Sequence, residues 1–153
     1  KKQNELLPAI TEAFKESDQV LMEEFIEGRE ISCGVMIAGG KEYIFPITEL
    51  VCQSEFFDYK AKYQGFSNEI TPADLPEAIR KEVNRLTLIA YKRLNCRGVV
   101  RIDFIVKGKT PYMIEINTIP GMSSHSIIPQ QAATMGMSLT ELFNLIIDET
   151  SNK

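Results

Sequence analysis

Two rhythms of apolar residues divide the chain, one of about four residues and one of two. From Glu5, the run ELLPAITEAFKES spaces Leu6, Ile10 and Phe14 four apart, which predicts a short amphipathic helix with Pro8 in its first turn. In QVLMEEFIEGREISCGVMIAGGKEYIFPITELV, apolar and β-branched runs break at Glu27-Gly28 and Gly39-Gly40, the pattern of strand, turn, strand, hairpin and strand. Regular patterning fades from Cys52 to Asp74, where Phe56, Phe57, Tyr59, Tyr63 and Phe66 alternate irregularly with charges. That stretch is either a loop packed over a site or a surface loop pinned by its aromatics. In LPEAIRKEVNRLTLIAYKRLN, the residues Leu75, Ile79, Val83, Leu86, Ala90 and Leu94 form a stripe at helical spacing, with Asp74 as the predicted cap. RIDFIV and PYMIEIN then alternate strictly around KGKT and predict a hairpin. Ser138 and Glu141 make an S-x-x-E capping box, opening a last helix whose buried face is Leu139, Leu142, Phe143, Ile146 and Ile147.

The chain has 153 residues, 44% of them hydrophobic and 25% charged, which suits one globular domain or one lobe of a larger protein. A net charge of -4 and the lack of a basic, aromatic-rich tract argue against nucleic acid or an anionic membrane as partner. No apolar run reaches membrane-spanning length. Cys33, Cys52 and Cys96 are odd in number and widely spaced, so neither a disulfide framework nor a zinc site is expected, and a reducing cytoplasm fits. The first residue is not Met, which suggests a piece of a longer polypeptide.

The densest chemistry lies in RIDFIVKGKTPYMIEINTIPGM. Alternation puts Arg101, Asp103 and Ile105 on one face of the first strand, and Met113, Glu115 and Asn117 on one face of the second. Residues opposite each other in an antiparallel pair share a face, so the turn decides whether the carboxylates meet. A two-residue turn at Gly108-Lys109 would separate them, whereas a three-residue turn through Thr110 sets Asp103 across from Glu115 and Arg101 across from Asn117. The odd register is the one expected. Opposed carboxylates repel, and a divalent cation between them removes the conflict. Two carboxylates and an amide oxygen suit magnesium or manganese, and magnesium in such a site takes further ligands from phosphate. The alternative is an edge hairpin with a polar solvent face. The following TIPGMSSHSIIP favours the metal site, because its N–H groups and hydroxyls suit an anion beside the metal.

Elsewhere the readings stay open. Glu23, Glu24, Glu27 and Glu30 are either a solvated edge or one wall of a nucleotide cleft that meets an adenine amino group and ribose hydroxyls. Lys62 and Tyr63 are available to an anionic ligand. His125 is either a polar loop residue or the partner of Ser126 in a triad, although no GxSxG elbow accompanies it. There is neither a GxxxxGK[ST] loop nor a GxGxxG after a strand, so a bound nucleotide is not held by either common glycine-rich loop.

The ordered set MEEFIEGREI, YKAKY, RIDFIV, MIEINTIPGMSSHSIIP and GMSLTELFNLII resembles the C-terminal part of the bacterial D-alanine:D-alanine ligases of the ATP-grasp superfamily, from about Val20 onward. The resemblance implies an α+β fold over residues 1–153, a single C-terminal ATP-grasp lobe with a mainly antiparallel sheet and flanking helices. It also implies ATP-dependent joining of two D-alanines for peptidoglycan, through an acyl phosphate that the second amine attacks. Asp103, Glu115 and Asn117 match the ligands of two magnesium or manganese ions. Glu23 matches the acid near the adenine amino group, Phe25 and Ile26 the hinge at the adenine edge, Glu30 the ribose acid, and Ile105 the residue packed on the ring. Arg101 and the N–H of Gly121 match the oxyanion-stabilising pair, and Ser126 and Ile127 the contacts to the second D-alanine. Lys62 and Tyr63 match the loop that covers the site and excludes water.

Tyr63 stands where ligases forming an ester with D-lactate have histidine, so the dipeptide is favoured. The family's N-terminal domain and first grasp lobe, which hold the phosphates and the first D-alanine, have no counterpart here. Activity is therefore expected of a longer parent protein, a cytoplasmic homodimer, and not of this chain alone. Two competing expectations remain: another carboxylate-amine ligase of the superfamily, and a non-catalytic nucleotide- or metal-binding module.

Overall fold

In the computed structural model, which describes residues 3–52 and 67–151, one long strand, β1 (Arg29–Ala38), pairs with three others. Along one side it pairs first with β3 (Thr48–Cys52) and then with β2 (Lys41–Ile44), while β5 (Val100–Lys107) follows its other side. Outer strands β4 (Ser67–Ile70) and β6 (Thr110–Asn117) complete the order β4-β3-β1-β5-β6, and every pair is antiparallel.

Alternation gives this sheet two unlike faces. Ile31, Cys33 and Val35 stand opposite Phe104, Ile102 and Val100, and all six are buried. They pack under α2 (Glu77–Arg93), which contributes Ile79, Val83 and Tyr91 to the same core. The other face carries Glu30, Ser32 and Gly34 of β1 beside Ile105, Asp103 and Arg101 of β5. Among the described residues, helices cover only one end of it. There α3 (Ile127–Thr134) and α4 (Leu139–Ser151) pack Ile128, Ala132 and Leu142 against Met36, Phe45 and Val99. Fully burying side chains such as Ile128 and Leu142 stabilises by about 1.5–3 kcal/mol each, so this small core fixes both helices beside an open stretch of sheet.

Several expectations need correction. The segment VLMEEFI forms no strand: both sides of β1 are already paired, and Leu21 is 82% exposed. Conversely, Ser67–Ile70 pairs with β3 as an edge strand inside the stretch expected to be irregular. The helix α1 (Leu6–Ala13) forms but buries none of its residues. Asp74 does not cap α2; Pro76 holds the N-cap with extended ψ, and the Asp74 carbonyl accepts a bond from Arg29 Nη2 at 2.7 Å. The buried stripe of α2 is Ile79, Val83, Thr87 and Tyr91, not one ending at Leu94, which lies past the helix and is exposed. Ile127 opens a separate helix, α3, so the stretch TIPGMSSHSIIP is not irregular to its end.

The capping box is reciprocal as expected, with Ser138 N donating to Glu141 Oε2 at 2.7 Å and Glu141 N to Ser138 Oγ at 3.2 Å. Of the helix's expected buried face, however, Leu142 is fully buried while Leu139, Phe143 and Ile147 are exposed, because α4 meets the rest along a narrow strip. Cys33 and Cys96 carry free thiols, and burial pushes that of Cys33 up to about 12, leaving it unreactive. Among the described residues no helix is long and apolar enough to cross a membrane.

Candidate functional site

The hairpin of β5 and β6 sets Arg101 opposite Asn117 and Asp103 opposite Glu115, the expected pairs, but by another route. The turn has two residues: Lys107 pairs with Thr110, and Gly108 at φ +62° takes the left-handed conformation that a tight turn asks of glycine. Phe104 is then opposite Met113, and a β-bulge between this pair and Asp103–Glu115 accommodates the extra residue Ile114. The bulge supplies the odd step assigned above to the turn. It also means that Met113 shares the face of Phe104, whereas Glu115 and Asn117 share that of Asp103.

Around this pair lies a cleft of about 570 Å³, lined by β-strand residues Glu30, Ser32, Leu50 and Glu69, by Arg101, Asp103, Glu115 and Asn117, and by Ile119 to Gly121, Ser126 and Ile127 of the loop and α3. Arg101 holds Asp103 through Nε to Oδ1 at 2.9 Å and Nη2 to Oδ2 at 2.8 Å, and its Nη2 lies 4.0 Å from Glu115 Oε1. Both Arg101 and Asp103 are largely buried, with side chains 17% and 13% exposed. Burial works against the Arg101 charge, but the hydrogen bond and charge of Asp103, with Glu115 and Glu69, hold the guanidinium above its ordinary value. Asn117 Nδ2 donates to Glu115 Oε1 at 2.9 Å and to Asp103 Oδ2 at 3.3 Å, joining the three expected ligands in one network.

This donor set fits a hard divalent cation: two convergent carboxylates and an amide, drawn together around shared positive charge. Among the described residues no three or more His, Cys, Asp or Glu side chains cluster as metal ligands, so Asn117 is needed to complete the set. Ligation through its Oδ1 requires its amide to rotate from the orientation seen here.

The remaining expected residues fall into three groups. Glu30, Gly121, Ser126 and Ile127 line the cleft, and Ile105 lies on its face of the sheet, opposite Glu30 but outside the lining. Glu23, Phe25 and Ile26 lie in the irregular segment before β1 and do not line it. Lys62 and Tyr63 lie outside the described residues. Ser126 Oγ meets Ser123 Oγ at 2.9 Å, while His125 Nδ1 meets Ser124 Oγ at 3.2 Å, so the geometry gives no His125–Ser126 dyad.

Three residues at the cleft escaped sequence reasoning. Ser32, whose hydroxyl donates to Asp103 Oδ1, was findable, since alternation from Glu30 puts it on the same face. Glu69 had no signal, because β4 itself was not foreseen; it accepts from Gln130 Nε2 at 2.7 Å. Gln131, beneath the cleft on α3, looked like any helix glutamine.

The profile of the family described as D-ala D-ala ligase C-terminus matches residues 1–148. The chain belongs to this family. It is 47% identical over 149 residues to the D-alanine–D-alanine ligase of Phocaeicola vulgatus, covering 97% of this chain and 46% of the relative. The ligase of Flavobacterium johnsoniae is 43% identical over 148 residues with the same coverages. Among solved structures, the D-alanine–D-alanine ligase of Bacillus anthracis complexed with ATP superposes with a TM-score of 0.83 at 29% identity, covering 98% of this chain and 47% of that one. The VanG D-Ala:D-Ser ligase of Enterococcus faecalis gives 0.81 at 30% identity, covering 95% and 43%. The chain thus spans a little under half the length of the ligases it matches, and its fold is that of their C-terminal ATP-grasp lobe, α+β with a mainly antiparallel sheet.

Proposed function

We propose that this chain is the metal- and second-substrate-bearing lobe of an ATP-dependent ligase joining two D-alanines into the dipeptide used for peptidoglycan, within a longer cytoplasmic, homodimeric protein. The observation that carries the reading is the opposition of Asp103 and Glu115 across the bulged hairpin, with Arg101 between them and Gly121 and Ser126 on the facing loop.

Asp103, Glu115 and Asn117 hold two magnesium or manganese ions. When bound, the ions neutralise nucleotide phosphates and orient the transferring phosphoryl group. Glu30 accepts from the ribose, and Glu23, Phe25, Ile26 and Ile105 meet the adenine once the segment before β1 is drawn to the cleft. Arg101 and the Gly121 N–H stabilise the oxyanion that forms when the amine attacks the acyl phosphate. The bonds from Arg101 Nε and Nη2 to Asp103 support this role by limiting the freedom of the guanidinium. Ser126 and Ile127 receive the second D-alanine at the start of α3. Lys62 and Tyr63 cover the site, so that the acyl phosphate meets the amine and not water. The lobe alone binds nucleotide weakly and does not turn over.

A second reading keeps the chemistry and changes the incoming nucleophile, and it is favoured by the likeness to a structure described as a D-Ala:D-Ser ligase. The test is phosphate release from ATP and magnesium by the full-length polypeptide with D-alanine, L-alanine, or D-alanine plus D-lactate or D-serine. Release that requires D-alanine, gains nothing from the others and disappears in Asp103→Asn is expected. Release indifferent to D-alanine, or retained in Asp103→Asn, overturns the reading.

A further inference from the structure

Gln131 is fully buried, and its polar amide lies over Gly34 of β1 beside Ile128 Cδ1. Its Oε1 accepts the N–H of Gly34 at 3.1 Å, and its Nε2 donates to the Ser32 carbonyl and to Thr48 Oγ1, each at 3.0 Å. These groups lie where β1 has left β3, after the Ser32–Thr48 pair, and has not yet met β2, before the Val35–Ile44 pair. The side-chain amide fills that gap with the donor and acceptor a neighbouring strand would offer. A buried amide is unfavourable unless paired, so packing alone would be better met by an apolar residue. The bonds therefore point to a positional role.

What they position is Ser32. Its carbonyl is held by Gln131, its side chain is fully buried, and its hydroxyl reaches across the sheet to Asp103 Oδ1, the cross-strand neighbour. Oδ1 is thus held from the β1 side by Ser32 as well as by Arg101 Nε at 2.9 Å, while Oδ2 meets Arg101 Nη2 at 2.8 Å and Asn117 Nδ2 at 3.3 Å.

We propose that Gln131 and Ser32 are positioning residues that aim the Asp103 carboxylate into the cation site, so that α3, which carries the second-substrate end of the cleft, also sets the metal-binding end. The proposal rests on the reading of Asp103 as a metal ligand. Supporting groups around ligands typically change metal affinity ten- to a hundred-fold, by about that factor when removed.

The experiment measures Mn2+ binding to the full-length polypeptide by electron paramagnetic resonance of free Mn2+, beside the D-alanine KM and a thermal melt. Ser32→Ala and Gln131→Leu are each expected to weaken Mn2+ binding by about ten-fold or more. Combining them adds little, since both act through one path, and Ser32→Thr restores affinity; the D-alanine KM holds throughout. Should Gln131→Leu not fold, the Ser32→Ala and Ser32→Thr pair carries the test. Wild-type Mn2+ affinity in Ser32→Ala, while Asp103→Asn abolishes binding, overturns the positioning role. Additive losses of Mn2+ affinity accompanied by a lower melting temperature and a raised D-alanine KM also overturn it, by marking a merely structural one. Undiminished binding in Asp103→Asn removes the metal reading itself and the proposal with it.

Discussion

At Gly34 of β1 the side chains of Ile128 and Gln131 from α3 reach the backbone, and replacing it by alanine tests how the covered and open halves of the sheet are joined. A Cβ there would stand 2.5 Å from Ile128 Cδ1, 2.7 Å from Gln131 Oε1 and 3.0 Å from Phe45 Cδ2. Its backbone lies outside the left-handed region, so space alone decides the outcome. Overpacking of this kind costs about 1–3 kcal/mol. If Gln131 yields, the buried N–H of Gly34 loses its acceptor, a further cost of about 1–3 kcal/mol. Against these, alanine gains about 0.4–1 kcal/mol by restricting the unfolded chain. The net expectation is a loss of about 1–5 kcal/mol. Urea titration followed by circular dichroism should show a lower midpoint with an unchanged slope. The cause is isolated by Ile128→Val, which removes the atom nearest to the new methyl. Alone it should cost about 0.5–1.5 kcal/mol, but in the Gly34→Ala background it should be neutral or stabilising. Unchanged stability of Gly34→Ala, or strict additivity of the two substitutions, would refute the argument that α3 is seated through this contact.

Two other perturbations separate stability from chemistry. In Gly121→Ala the new Cβ would lie 2.8 Å from Ser126 Oγ in an exposed part of the loop, so the fold should change by less than about 0.5 kcal/mol. D-alanine-dependent phosphate release should fall about a hundred-fold, and normal release would mean that Ser126 does not touch the reacting groups. Glu49 accepts both Nε and Nη2 of Arg29 at 2.6 Å, and this hydrogen bonding holds its carboxyl below the ordinary glutamate value. A depressed folded value gives stability that is complete above the unfolded pKa of about 4.3 and lost as pH falls through the folded one. With Arg29 partly exposed, the pair is worth about 1 kcal/mol. Glu49→Gln should therefore be less stable than the parent by that amount at pH 7 and converge on it in acid; a gap independent of pH would assign the effect to packing.

Where the sequence was legible, local rules and global fold agreed. The alternation in RIDFIV has one partner strand on each side to satisfy it, and the Ser138–Glu141 box needs only its own first turn. The opposition of Asp103 and Glu115 was also legible, because two carboxylates at matched positions conflict unless something binds them, although a bulge and not the turn brings it about. What escaped depended on neighbours that no local pattern encodes. Tyr91 continues the buried stripe of α2 because its Oη donates to the Gly98 carbonyl at 2.9 Å, which lets a polar aromatic serve as a core residue. VLMEEFI has strand composition, but both sides of β1, the strand it leads into, are already paired. Gln131 matters only because β1 changes partners beneath it.

The bulge at Ile114 acts as a parity switch within one hairpin. Between the turn and the bulge, partner numbers sum to one constant; beyond it, at Asp103 and Arg101, they sum to a value one larger. The tip and the carboxylates therefore keep separate counts. A sheet joined in this way can gain or lose a single residue on the second strand by forming or healing the bulge, without sliding Glu115 away from Asp103. Deleting Ile114 leaves every cross-strand partner in place and removes only the local twist. The hairpin tip is thus insulated from the acids, and length changes that would invert the faces of an ordinary ladder can be absorbed before they reach the cleft.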